Sequence, residues 1–126
     1  MLVNGERVQG AGTPVVVVDP STEEVFDEIA SASPQQVEAA VSGAKDAFRA
    51  WKKTPAAERG EMMHSLSSWI GEHTEELATT LTREGGKPLV ENRDEMGWSA
   101  GCLDFYAEIG RLERGRIVGG LECRSF

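Results

Sequence analysis

Cysteine is scarce in this chain: Cys102 and Cys123 are the only two in 126 residues. A single widely spaced pair makes neither a disulfide framework nor a metal motif, and it fits a reducing cytoplasm most simply. Positive charge is also short. The 13 Lys and Arg residues are scattered among 21 Asp and Glu, for a formal net charge of -8. A phosphate backbone is bound by a basic patch or stripe, so no nucleic-acid partner is expected. No apolar run approaches the ~20 residues of a membrane span. The opening MLVNGERVQG lacks a basic segment followed by an apolar one, so neither a membrane segment nor a secretory leader is expected. The two histidines, His64 and His73, lie nine residues apart and miss the i, i+4 spacing of a helical metal pair. A dinucleotide fingerprint is missing as well, because GGLECR after Ile117 and Val118 has the wrong glycine spacing. There is no internal repeat and no low-complexity linker.

What is present reads as one globular α/β unit, with 40% hydrophobic and 27% charged residues. Residues 1–32 predict two β-hairpins. LVNGERV turns at Asn4-Gly5, a dipeptide suited to the two positive φ angles of a tight hairpin. The β-branched run Val15 to Val18 is followed by the turn Asp19-Pro20-Ser21-Thr22, and the chain returns as a strand from Val25 to Ala30.

Three amphipathic helices are expected next, over about 34–52, 55–84 and 88–114. Ser33 then Pro34 is a cap followed by a first-turn proline, and Thr54 then Pro55 repeats it. Val37, Val41, Ala44, Phe48 and Trp51 share one face of the first helix. Met62, Leu66, Trp69, His73, Leu77 and Leu81 form one stripe on the second. Leu89, Met96, Ala100, Leu103 and Tyr106 line the third, which frays at Gly110 and Gly115. RIVGGLECRSF has the character of a strand without its partner. The helices carry more apolar surface than two hairpins can cover, so Met62, Met63, Trp69, Trp98, Phe105 and Tyr106 are expected to face something outside this chain.

REGGKPL, Arg83 to Leu89, looks at first like a phosphate loop. Leu81 stands where the first glycine of that loop belongs, Pro88 stands where its Ser/Thr belongs, and a helix precedes the segment instead of a strand. A helix end fits better, with Gly85 as a left-handed cap and Pro88 opening the next helix. Cys102, between Gly101 and Leu103, is expected to be a small buried residue and not a nucleophile. Glu72, Glu75 and Glu76 fit a solvated face. Glu84 is anomalous, since an anion at a helix C-terminus opposes the dipole and calls for an offsetting cation, Lys87 or Arg83.

In order, LVNGERV, DPSTEEV, VEAAVSGAKDAFRAW, TPAAERGEMM, LTREGGKPLVE and LDFYAEIGRLERGRI resemble the N-terminal region of the aldehyde dehydrogenase superfamily over essentially the whole chain. The more specific parts are Ala47-Phe48-x-x-Trp51, Arg59 and Gly86-Lys87-Pro88. Two departures, Glu23 where the family usually has glycine and Gly85 before the Gly-Lys pair, are consistent with a branch acting on lactaldehyde-like, semialdehyde or betaine-aldehyde substrates.

The resemblance implies a longer NAD- or NADP-dependent enzyme that oxidises a small aldehyde to an acid through a cysteine thioester. This chain would be the N-terminal part of its cofactor-binding domain and would partner the remainder of the polypeptide, within a homo-oligomer. Alone it is expected to be inactive and to bind no dinucleotide. The resemblance assigns it no catalytic residue, and Cys102 does not match the family's nucleophile. It does imply a structural Na+ or K+ held near Val17, Val18 and Glu84, and a place for Trp98 in the substrate tunnel. The competing expectation is a non-enzymatic helical interaction or oligomerisation module.

Overall fold

Two separate antiparallel ribbons begin the chain, and four helices follow. The computed structural model describes residues 1–112 and Gly115. The expected strand over 116–126 and Cys123 lie outside the described residues. In the first ribbon β1 (Leu2–Val3) pairs with β2 (Glu6–Arg7), and Asn4 and Gly5 take φ of 54° and 84°. Val8 N–H donates to the Met1 carbonyl at 3.0 Å to close it. The Asn4 side chain reaches the helix that follows at Gly43, where a Cβ would collide with its Oδ1. That contact explains a glycine in mid-helix.

In the second ribbon β3 (Val15–Asp19) pairs with β4 (Glu24–Ile29), with a bulge between Val17 and Val18. Asp19 organises the turn. Its Oδ1 accepts from Ser21 N–H at 2.9 Å and Ser21 Oγ at 2.6 Å, and its carbonyl accepts from Glu23 N–H at 2.8 Å. The Ser21 hydroxyl, ahead of the Ser21 amide, holds the Asp19 carboxyl below the usual carboxylate value.

Helix α1 (Pro34–Trp51) starts with the expected cap. Ser33 Oγ accepts from Gln36 N–H at 3.3 Å, and Gln36 Oε1 accepts from Ser33 N–H at 3.0 Å. Gln36 also holds the preceding loop, since Oε1 accepts from Ala11 N–H and Nε2 donates to the Gln9 carbonyl at 2.8 Å. Thr54 supplies no corresponding cap. Pro55 occupies the cap position of α2 (Ala56–Glu72) without a side-chain bond.

The single helix expected over 55–84 is two, α2 and α3 (Thr74–Gly85), divided at His73. His73 has φ -108° and ψ 15°, outside the helical region. Side chains there compete for helix carbonyls. His73 Nδ1 contacts the Trp69 carbonyl at 2.8 Å, and Thr74 Oγ1 donates to those of Ile70 and Gly71. The Trp69 and His73 rings stack at 4.2 Å. The left-handed cap is Gly86, at φ 73°, one residue later than expected, and Gly85 remains helical. Helix α4 (Leu89–Leu112) begins on the Pro88 carbonyl, which accepts from Glu91 and Asn92 N–H.

Helix α4 lies against α2 and α3, and among the described strands and helices α1 contacts β1 of the first ribbon. The buried positions are small: Ala78 and Ala107 among apolar residues, with Gly60, Ser67 and Asn92 beside them. Asn92, 2% exposed, donates from Nδ2 to Thr82 Oγ1 at 2.8 Å, pinning the end of α3 to the start of α4. The inward face of α4 is Leu89, Asn92, Met96, Ala100, Leu103 and Ala107; Tyr106, expected on it, is exposed. Apart from half-buried Met63, the residues expected to face outward do so, with Trp98 at 76% exposure. Val37, Val41, Phe48 and Trp51 leave the apolar face of α1 bare. No helix among the described residues is long and apolar enough to cross a membrane.

Candidate functional site

Three places hold the residues that bear on function. The first is the outer side of α4. Two rows at i+4 spacing, Arg93-Gly97-Gly101-Phe105 and Asp94-Trp98-Cys102-Tyr106, line a shallow open groove. The glycines make its floor and the aromatic rings its walls, with Phe105 and Tyr106 meeting edge to face at 5.4 Å. Arg93 closes one end, held bidentate by Glu75 at 2.7 and 2.8 Å across the gap to α3. That pairing lowers the Glu75 carboxyl and raises the Arg93 guanidinium from their ordinary values. Among the described residues Trp98 is in no core, so the expectation of a tryptophan at a buried or lining position concerns whatever covers this face.

Cys102 is exposed on the same face, where burial was expected. Both ring nitrogens of His64 are engaged by carboxylates, and Nδ1 of His73 by a backbone carbonyl. Among the described residues no hydrogen bond joins Cys102 to an imidazole, so the structure supplies it no base.

The second place is the junction around REGGKPL. Lys87 Nζ pairs with Glu95 and, at 3.8 Å, with Glu91, and Glu95 raises its ammonium above the ordinary value. Arg83 lies 4.0 Å from Asp19 and stacks over the Phe26 ring at 4.2 Å. Neither cation is available to Glu84, and among the described residues no ion pair includes Glu84. The bulge at Val17 and Val18 lies on β3, which packs on α3. Glu84 is in the last turn of that helix, where carbonyls lack intrahelical partners.

The third place joins α2 to α4, and sequence reasoning missed it. His64 Nδ1 contacts Asp104 Oδ1 at 2.7 Å and His64 Nε2 contacts Glu108 Oε1 at 2.9 Å. Ser67, 6% exposed, donates to Asp104 Oδ2 at 2.9 Å and sits 3.1 Å from the Ala100 carbonyl. Serine, histidine and aspartate are together, but their wiring is wrong for a nucleophile. The hydroxyl faces the carboxylate, and the far imidazole nitrogen faces a second carboxylate. Asp104, then Glu108, raises the His64 imidazole above its ordinary value; His64, then Ser67, lowers the Asp104 carboxyl. The only sequence signal was polar residues at i, i+3 on α2 and i, i+4 on α4, which any solvated face would show.

The family model for the aldehyde dehydrogenase family matches residues 7–124. An aldehyde dehydrogenase-like protein of Schizosaccharomyces pombe is 39% identical over 119 residues, covering 94% of this chain and 24% of its own length. A malonate-semialdehyde dehydrogenase of Geobacillus thermodenitrificans is 34% identical over 120 residues, covering 92% of this chain and 25% of its own. Among solved structures, the NAD-dependent benzaldehyde dehydrogenase of Corynebacterium glutamicum superposes with a TM-score of 0.87 at 28% identity, covering 94% of this chain and 26% of that one. The chain therefore spans about a quarter of the length of the relatives it matches.

Proposed function

The chain belongs to the aldehyde dehydrogenase family, and from that premise we propose that it is the N-terminal part of an NAD- or NADP-dependent enzyme oxidising a small aldehyde to a carboxylic acid. The observation that carries this reading is the ratio of bare to buried apolar surface. Among the described residues only Ala78 and Ala107 form a buried apolar core, while Phe48, Trp51, Trp98, Phe105 and Tyr106 are exposed. A layer built this way contributes surfaces that the rest of an enzyme covers. The nicotinamide cofactor would supply the hydride acceptor. Gly86 is used as a helix cap against Pro20 and Lys87 is tied to Glu91 and Glu95, so the Gly-Lys pair does not fit a phosphate, and we assign no cofactor contact to this chain. Its relatives' malonate-semialdehyde and benzaldehyde activities bracket the proposed substrate class: a small semialdehyde, betaine-like or lactaldehyde-like aldehyde. The reading includes a homo-oligomer in a reducing cytoplasm.

Within this chain the proposal gives Trp98 a wall of the substrate tunnel, supported by its place on the aromatic face of α4. It also gives a monovalent cation to carbonyls near Val17, Val18 and Glu84. The oxygen donors suit a hard cation, and the bulge and the helix end both leave carbonyls short of partners. Potassium chloride would then raise the melting temperature above that in choline chloride at equal ionic strength; coincident curves would end the cation site.

The main test replaces the matching quarter of the Corynebacterium glutamicum enzyme with this chain. NADH production from an aldehyde by the folded chimera, with none from this chain alone, supports the reading. A folded chimera without activity, together with a discrete stable oligomer of this chain alone, supports the interaction module instead.

A further inference from the structure

We propose that His64 is a pH-dependent clamp between α2 and α4, donating as an imidazolium from Nδ1 to Asp104 and from Nε2 to Glu108, and releasing one of the two when it loses its proton. The geometry requires the charged form. Both contacts, at 2.7 and 2.9 Å, are at hydrogen-bond distance, and ionised carboxylates only accept. A neutral imidazole has one N–H, so its other nitrogen would turn a lone pair toward a carboxylate.

The surrounding carboxylates act in the same direction, and the Arg111 guanidinium opposes them. From α2 comes Glu61, paired with Arg111; from α4 come Asp104, Glu108 and Arg111, whose Nε lies 3.7 Å from Glu108. Helix α3 brings none of its charged groups into contact with His64 among the described residues; its Glu75 is taken by Arg93. Three carboxylates thus surround one guanidinium and one imidazole. Loss of the imidazolium proton to solvent leaves Asp104 with Ser67 as a donor, and Glu108 with the longer Arg111 contact. The clamp joins α2 to the C-terminal half of α4, whose outer side carries Phe105 and Tyr106.

The sign follows from which state holds the proton. The folded state binds it more tightly than the unfolded chain, whose imidazole titrates at about 6.5. The clamp's contribution is therefore complete below that pH and disappears as pH rises through the higher folded value. The test is nitrogen-15 imidazole NMR of the whole chain across the neutral range. We expect His64 to titrate above the ordinary imidazole value, with both of its nitrogens protonated at mildly acid pH. In the Asp104→Asn, Glu108→Gln double variant its midpoint should fall to the ordinary range. Protection of the amides in residues 104–112, taken relative to their intrinsic base-catalysed exchange at each pH, should fall several-fold above the wild-type midpoint, and His64→Gln should remove that fall. A His64 midpoint at or below the ordinary value, or one bare ring nitrogen at mildly acid pH, overturns the proposal. This wild-type measurement decides the matter even where the variants do not fold.

Discussion

Gly86 lies against Pro20: a Cβ on Gly86 would come within 2.8 Å of the Pro20 Cγ. The end of α3 and the β3–β4 turn therefore meet at a point where only a glycine fits both the space and the φ of 73°. Gly86→Ala is expected to destabilise the chain by about 1–3 kcal/mol, from left-handed strain together with overpacking. Gly85→Ala, at a helical residue whose Cβ would meet nothing within 4 Å, should be neutral or slightly stabilising. Urea unfolding of the two variants side by side checks the assignment of the cap; equal losses would refute it.

Glu23 presents the opposite case. It occupies φ 60° in the β3–β4 turn, a region that costs a side-chain-bearing residue about 1–2 kcal/mol. The family resemblance places glycine at this position. Glu23→Gly should therefore stabilise the chain, by about 1 kcal/mol or less once the greater freedom of glycine in the unfolded chain is deducted. A lower melting temperature for the variant would show that the Glu23 side chain contributes something the turn geometry does not explain.

Asn92 holds α3 to α4 from a buried position, through Thr82 Oγ1 and the Lys87 carbonyl at 3.3 Å. Its replacement by alanine leaves a small void and an orphaned acceptor, with an expected loss of roughly 1–3 kcal/mol. Combining it with Thr82→Val should cost less than the two single changes together, because both remove the same bond. Strict additivity in a double-mutant cycle would disprove the coupling.

Trp98 separates a folding role within the chain from a role in the assembled protein. At 76% exposure, its truncation to alanine should alter the stability of this chain by no more than about 0.5 kcal/mol. In the chimeric enzyme the same change should alter the relative kcat/KM for small and bulky aldehydes if Trp98 lines the tunnel. A loss of roughly 3–5 kcal/mol in the chimera's stability with aldehyde preference unchanged would identify it as a covered core residue.

Much of the fold was legible because its signals are local. Asn4-Gly5, the Asp19 turn and the Ser33 cap act through bonds spanning a few residues, and each stands as the sequence predicts; the reciprocal bond from Gln36 was not read from it. Apolar periodicity located the helices but not their ends. It passed over the break at His73, because a stripe of Leu, Trp and His continues through residues whose side chains share the Trp69 and Ile70 carbonyls with the backbone. The Thr54-Pro55 signature misled for a related reason: residue type makes a cap available, and local geometry decides whether it is used.

By itself the sequence determined the order of elements, the family resemblance and the excess of apolar surface, since turn chemistry, caps and periodicity are written in near neighbours. Only the tertiary structure decided which surface is spent. It put Asn92 and Ala107, rather than Tyr106, under α2 and α3, and it turned Trp98 and Cys102 outward together. It also brought His64 to Asp104 and Glu108, 40 and 44 residues away. Contacts at that separation depend on the angle and rotation at which helices pack, and those are set by the small buried side chains between them.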